Sequence, residues 1–141
     1  MIILDTDHVT VLRYPEHSNY DTLSLRMDQS SDGFFSTTAV SIEEQMRGWL
    51  AAIHRTRKVH DQILYYARLT SLIDFFSRWT ILPFNEPAAD RFEELRSQGI
   101  RIGTMDLKIA AISLENDALL LSANLRDFQR VPGLRVEDWL H

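Results

Sequence analysis

The order of elements along this chain predicts an α/β three-layer fold, with a mainly parallel central sheet of about four to five strands flanked by helices. Three observations carry that expectation. Short all-apolar runs end abruptly in polar residues, as strands buried on both faces do. Segments of helical periodicity stand between those runs. Gly, Pro and Asn residues mark the joins. A length of 141 residues suits one domain spanning 1–141, and a 45% hydrophobic share fits a globular chain.

Ile2-Ile3-Leu4 predicts a central strand, followed at once by Asp5-Thr6-Asp7. Ligands of open parallel sheets sit beyond the carboxyl ends of the strands, so both acids lie near a functional edge. Asp7 is the better candidate for a helix cap, opening His8 to Arg13, which leaves Asp5 for chemistry. Tyr14 to Asn19 is a loop and Tyr20 to Asp28 a modest helix. Phe34 to Thr38, aromatic and β-branched, predicts a second strand. Ser41 and Glu44 match a Ser-x-x-Glu capping box at the start of a helix running to about Thr56, with Glu43 as the rival acid. Val59 to Trp79 completes an antiparallel helix pair through the basic turn Arg55 to Lys58. Thr80 to Phe84 predicts a third strand, and Asn85-Glu86-Pro87 starts a helix over Ala88 to Ser97 that Gly99 ends.

The most informative stretch is Gly103 to Phe128. Leu107, Ala110, Ala111 and Leu114 recur at the spacing of an apolar helical stripe. Thr104 is placed to cap that helix, leaving Asp106 in its first turn, where the helix dipole favours a carboxylate. Ala118 to Leu121 predicts a buried strand ending in Ser122-Ala123-Asn124, with Asp127 just beyond. A last short strand falls near Arg135-Val136, and Trp139 pins the C-terminus to the core.

Composition narrows the function. No apolar run approaches the roughly 18 residues of a membrane span, and the N-terminus lacks the pattern of a signal peptide, so a soluble cytoplasmic protein is expected. The absence of cysteine excludes disulfides and thiolate metal sites, and the five histidines form no HExxH pair. A net charge of −5 opposes a nucleic-acid partner unless several acids belong to a cation site, in which case the remaining surface is closer to neutral. Asp5, Glu44, Asp106 and Asp127 are the acids in question. Clustered carboxylates stay ionised only with a cation among them, and all-oxygen ligands select Mg²⁺ or Mn²⁺. Such an ion can activate water for attack on a phosphodiester.

Four segments in register resemble a PIN domain: Ile3-Leu4-Asp5-Thr6-Asp7; Thr38 to Glu44 with Gly48 following; Met105 to Ala111; and Leu121 to Phe128. The tail from Phe128 through Pro132-Gly133-Leu134 to Trp139 is particularly similar to VapC-type toxins. The resemblance covers almost the whole chain. It implies a Mg²⁺- or Mn²⁺-dependent endoribonuclease with Asp5, Glu44, Asp106 and Asp127 as metal-binding and catalytic acids. Thr6, Asp7, Ser122 and Asn124 are implied to support them. It also implies structured RNA (tRNA or ribosomal RNA) as substrate, inhibition by a cognate VapB-like antitoxin, and a homodimer. Arg47, Lys108 and Arg126 lead the candidate RNA contacts, joined by Arg55, Arg57, Lys58 and Arg130.

Two choices stay open at this level: Glu43 or Glu44 for the second acid, and Asn124 or Asp127 for the fourth. Two other readings compete. An apolar strand ending in Asp5-Thr6-Asp7 imitates the nucleophile motif of haloacid dehalogenase-type phosphatases, but the chain lacks that family's later paired acids. The other is a catalytically silent PIN-like module that only binds protein through Val59 to Trp79.

Overall fold

A computed structural model describes residues 1–141 and places five short strands in one sheet. They are β1 (Ile2–Leu4), β2 (Phe35–Thr38), β3 (Thr80–Leu82), β4 (Leu119–Leu121) and β5 (Arg135–Glu137), in the spatial order β3-β2-β1-β4-β5. Every neighbouring pair is parallel, so the sheet is wholly rather than mainly so. Seven α-helices connect them: α1 (Thr6–Arg13), α2 (Tyr20–Gln29), α3 (Ala39–Arg55), α4 (Ile63–Phe76), α5 (Glu86–Ser97), α6 (Thr104–Glu115) and α7 (Leu125–Phe128).

Strand alternation creates the three layers. Ile3 and Leu120 point to one face, where they pack with Phe92 and Leu95 of α5 and with Ile109 and Ile112 of α6. Ile2, Leu4 and Leu121 point to the other, against Val9 of α1 and Leu72 and Phe76 of α4. With both faces covered, β1 and β4 can be apolar at every position, which is the pattern visible in the sequence. None of the helices is long and apolar enough to cross a membrane.

Several boundaries differ from expectation for local reasons. Helix α3 begins at Ala39, because Thr38 supplies the cap: its Oγ1 accepts the Ser41 N–H at 3.1 Å. The Ser41–Glu44 capping box therefore does not form, and Glu44 lies beyond the first turn. Gly103, not Thr104, occupies the cap position of α6. The segment from Val59 opens as a 3₁₀ turn, and α4 proper starts at Ile63. Gly99 does end α5, with φ of +80° and the Ile100 N–H bonded to the Leu95 carbonyl. Asp117 makes the same turn after α6 without the benefit of a glycine, at φ of +48°. At the C-terminus, Trp139 packs edge-on against Phe35, with ring centroids 6.4 Å apart, which anchors the tail as expected.

Candidate active site

The sheet order makes the site. From β1 the chain crosses to β2 on one side, while β4 pairs with β1 on the other, so the connections after β1 and β4 diverge and leave a crevice at their carboxyl ends. Asp5 is the first residue past β1, and its N–H donates to Leu121 at the end of β4 at 2.9 Å. Asp5, rather than Asp7, caps α1. Its Oδ1 accepts the Thr6 N–H at 2.7 Å and its Oδ2 accepts the Ser122 hydroxyl at 2.8 Å, and only 6% of the residue is exposed.

Asp7 sits one turn into the same corner as a strut. Its Oδ1 meets the His8 N–H and His8 Nδ1, each at 2.6 Å, and its Oδ2 accepts the Ala123 N–H at 2.8 Å. The fully buried His8 ring accepts the Trp139 N–H on Nε2 at 3.1 Å, which assigns its proton to Nδ1. Sequence reasoning missed His8. A lone histidine after a strand carries no spacing signal, and its partner Trp139 lies at the other end of the chain.

Glu44 reaches the crevice from α3, accepting the Thr6 hydroxyl at 3.3 Å. Glu43 turns the other way and pairs with Arg47; together they line a groove of about 590 Å³ that contains none of the four proposed acids. Geometry thus separates the two glutamates. Asp106, in the first turn of α6, and Asp127, on α7, are bridged by one side chain: the Asn124 amide donates to Asp106 Oδ2 at 3.0 Å and to Asp127 Oδ2 at 3.1 Å. Asn124 and Asp127 are therefore not alternatives, since both belong to the cluster. Helix α7, only 4 residues long, is too short to have shown any period in the sequence.

The electrostatics are those of crowded, poorly compensated acids. Burial first, then the charges of Asp7 and Asp106, push Asp5 up from 3.8 to about 7, against the opposing hydrogen bonds from Ser122 and Thr6. Glu44 is raised by burial and by Asp106, while Thr6 and Arg47 pull it down. Asp106 is raised by burial, Asp127 and Asp7, with the Asn124 amide opposing. None of Asp5, Glu44, Asp106 and Asp127 forms an ion pair with a Lys or Arg. Hard oxygens with uncompensated charge fit a hard divalent cation. No three of these side chains close around a single point as they stand; the Ser122 hydroxyl lies between Asp5 and Asp7, and the Asn124 amide between Asp106 and Asp127.

The candidate RNA contacts are dispersed. Arg47 is engaged with Glu43, and the Lys108 ammonium rests 5.5 Å from the centre of the Phe84 ring. Arg126 is exposed beside Asp127, without an acidic partner.

No family model matches the chain. It is similar to a ribonuclease VapC2 of Haemophilus influenzae, 44% identical over 71 residues, covering 48% of this chain and 54% of that protein. It is also similar to the tRNA(fMet)-specific endonuclease VapC of Salmonella typhimurium, 33% identical over 69 residues, covering 46% and 52% of the two chains. The chain spans about half the length of the curated relatives it matches. The solved structure of VapBC-1 from nontypeable Haemophilus influenzae matches over 100% of both chains with a TM-score of 0.75 at 23% identity, which shows a shared fold.

Proposed function

We infer that this chain, a relative of the VapC ribonucleases in sequence and built on a VapC fold, is the toxin of a VapBC-like type II toxin–antitoxin system. Its activity is that of a Mg²⁺- or Mn²⁺-dependent endoribonuclease acting in the cytoplasm on structured RNA, tRNA or ribosomal RNA. A VapB-like antitoxin holds it inactive, and it works as a homodimer of single-domain chains. One observation carries the reading. Asp5, Glu44, Asp106 and Asp127 come from four separate elements, yet polar side chains link them at the switch point of the sheet, with no Lys or Arg ion-paired to any of them.

Asp5, Glu44, Asp106 and Asp127 would hold the cation. When bound, it supplies a Lewis acid that orients a water and offsets the charge growing on the phosphate oxygens. The protein's own share is positioning. Ser122 and Thr6 aim the carboxylates of Asp5 and Glu44, and Asn124 sets the spread between Asp106 and Asp127. Asp7, fixed by His8 and Ala123, keeps the β1 and β4 connections at a constant separation.

A covalent phosphatase is disfavoured by the state of Asp5: it is buried, and both carboxylate oxygens already accept hydrogen bonds. An acid-stable phosphoenzyme on Asp5 would reverse that judgement. A silent binding module leaves the clustered, uncompensated acids without a purpose.

The test is cleavage of tRNA and ribosomal RNA by the purified chain with Mn²⁺ or Mg²⁺, beside Asp106→Asn. The variant is expected to lose activity by about a hundredfold or more. Equal cleavage by both proteins would place the activity elsewhere. Expression without the antitoxin should arrest growth, and Asp5→Ala should relieve the arrest.

A further inference from the structure

A second feature opens directly off the acidic crevice. Glu44 is shared between the acid cluster and a groove of about 440 Å³ walled by α1, α3 and α4. Two kinds of side chain dominate its lining. Tyr14, Trp49 and Tyr65 supply aromatic faces, the last two with ring centroids 6.3 Å apart and planes tilted by 31°. Arg13 and Arg55 supply guanidinium groups.

Neither of these cations forms an ion pair, although Glu44 shares the groove with them. Arg47, Arg78, Arg91, Arg96 and Arg135 all pair with carboxylates, whereas Arg13, Arg55 and the neighbouring Arg68 pair with none. Arg13 instead donates to the neutral amide of Gln45 at 2.8 Å, which is itself bonded to Thr10, and stacks 5.4 Å from the centre of the Tyr14 ring. Its guanidinium is therefore held in place while its charge stays unmatched. Burial and the adjacent Arg68 lower its pKa against the opposing effect of Tyr14, and an anion would offset both. In a protein with a net charge of −5, one fixed and one further unpaired cation beside neighbouring aromatic rings form the pattern that tracks a single nucleic-acid strand.

We propose that the groove between α1, α3 and α4 is a nucleotide subsite for a single-stranded stretch of the RNA substrate, placing a phosphate on Arg13 and a base against Trp49 and Tyr65 next to the bond to be cut. This rests on the nuclease reading, and it adds a location for the strand that the acids alone do not give. None of Arg47, Lys108 or Arg126 lines this groove.

The test uses the full chain carrying Asp106→Asn, so that RNA is bound without being cut, and a short fluorescent single-stranded RNA oligonucleotide as probe. Arg13→Gln should weaken binding about tenfold and reduce the slope of log affinity against log salt by about 0.7, the loss of one phosphate contact. Arg13→Lys should restore most of that slope. Tyr65→Leu should weaken binding about tenfold with the slope unchanged, because stacking releases no counterions. In the otherwise native chain, Arg13→Gln should raise KM for cleavage about tenfold and hold kcat within about twofold. Thermal unfolding of each variant checks that it is folded.

RNA binding that is indifferent to both Arg13→Gln and Tyr65→Leu overturns the subsite. So does loss of antitoxin binding in these variants with RNA binding intact, which would assign the groove to a protein partner. The two readings fail separately. Arg13-dependent RNA binding with no cleavage by the native chain would retain the subsite and remove the nuclease. Asp106-dependent cleavage with an unchanged KM in Arg13→Gln would do the reverse.

Discussion

Replacing Asp5 by Asn isolates the cost of keeping a buried carboxylate at the centre of the cluster. The Asp5 carboxyl is raised from 3.8 to about 7. At about 1.36 kcal/mol for each pKa unit, ionising it in the folded, cation-free protein costs about 4 kcal/mol. Between about pH 4 and pH 7 the folded chain retains a proton that the unfolded chain has released, so stability falls as pH rises through that window and stays low above it. Asn has the same shape and no charge. Its oxygen still accepts the Thr6 N–H, and its amide can donate to the Ser122 hydroxyl, so the loss is confined to the charge-assisted part of two hydrogen bonds, about 1 kcal/mol each. The net expectation is a gain of about 2 kcal/mol at pH 8, or roughly 6–8 °C in Tm for a chain of this size, and little change at pH 4. Circular-dichroism melts of both proteins across this pH range, in chelator, measure it. Adding Mn²⁺ at pH 8 should stabilise the native chain and leave Asp5→Asn unmoved. A native Tm that does not fall between pH 4 and pH 8, or an Asp5→Asn protein no more stable than native at pH 8, would refute the argument.

Further tests separate neighbouring residues. Glu44→Gln should lower kcat for RNA cleavage by about a hundredfold, whereas Glu43→Gln, which breaks only an exposed pair with Arg47, should stay within about twofold. Asn124→Ala removes the donor shared by Asp106 and Asp127, and should cost about tenfold in kcat while raising the pKa of Asp106 further, readable by carboxylate NMR. His8→Ala leaves the backbone N–H of Trp139 without its acceptor, removes the ring's hydrogen bond to Asp7 and empties a buried site, so urea titration should show a loss of about 3 kcal/mol. Asp117→Gly should stabilise by about 1 kcal/mol in the same assay, since glycine adopts the positive φ there without a steric cost.

The sequence alone determined the class of fold and singled out acids that the structure brings to one edge of the sheet. Strands covered on both faces must be apolar throughout, so β1 and β4 were legible as Ile2 to Leu4 and Ala118 to Leu121, and the carboxyl edge of a parallel sheet told where to look for function. Tertiary structure decided what local patterns left open. Whether Asp5 or Asp7 caps α1 depends on Ser122 and Ala123, more than a hundred residues away. Glu44 was separated from Glu43 only by the rotation of α3, which turns Glu44 to Thr6 and leaves Glu43 with Arg47. Asn124 and Asp127 looked like competitors because they are near in sequence; the position of α6 brings Asp106 to both. His8 gave no sign in the chain, and the groove that joins Arg13 to Trp49 and Tyr65 gave none beyond Arg55 among the candidate RNA contacts. Their partners come from separate elements, and periodicity records only which face of one element is buried, never which other element will cover it.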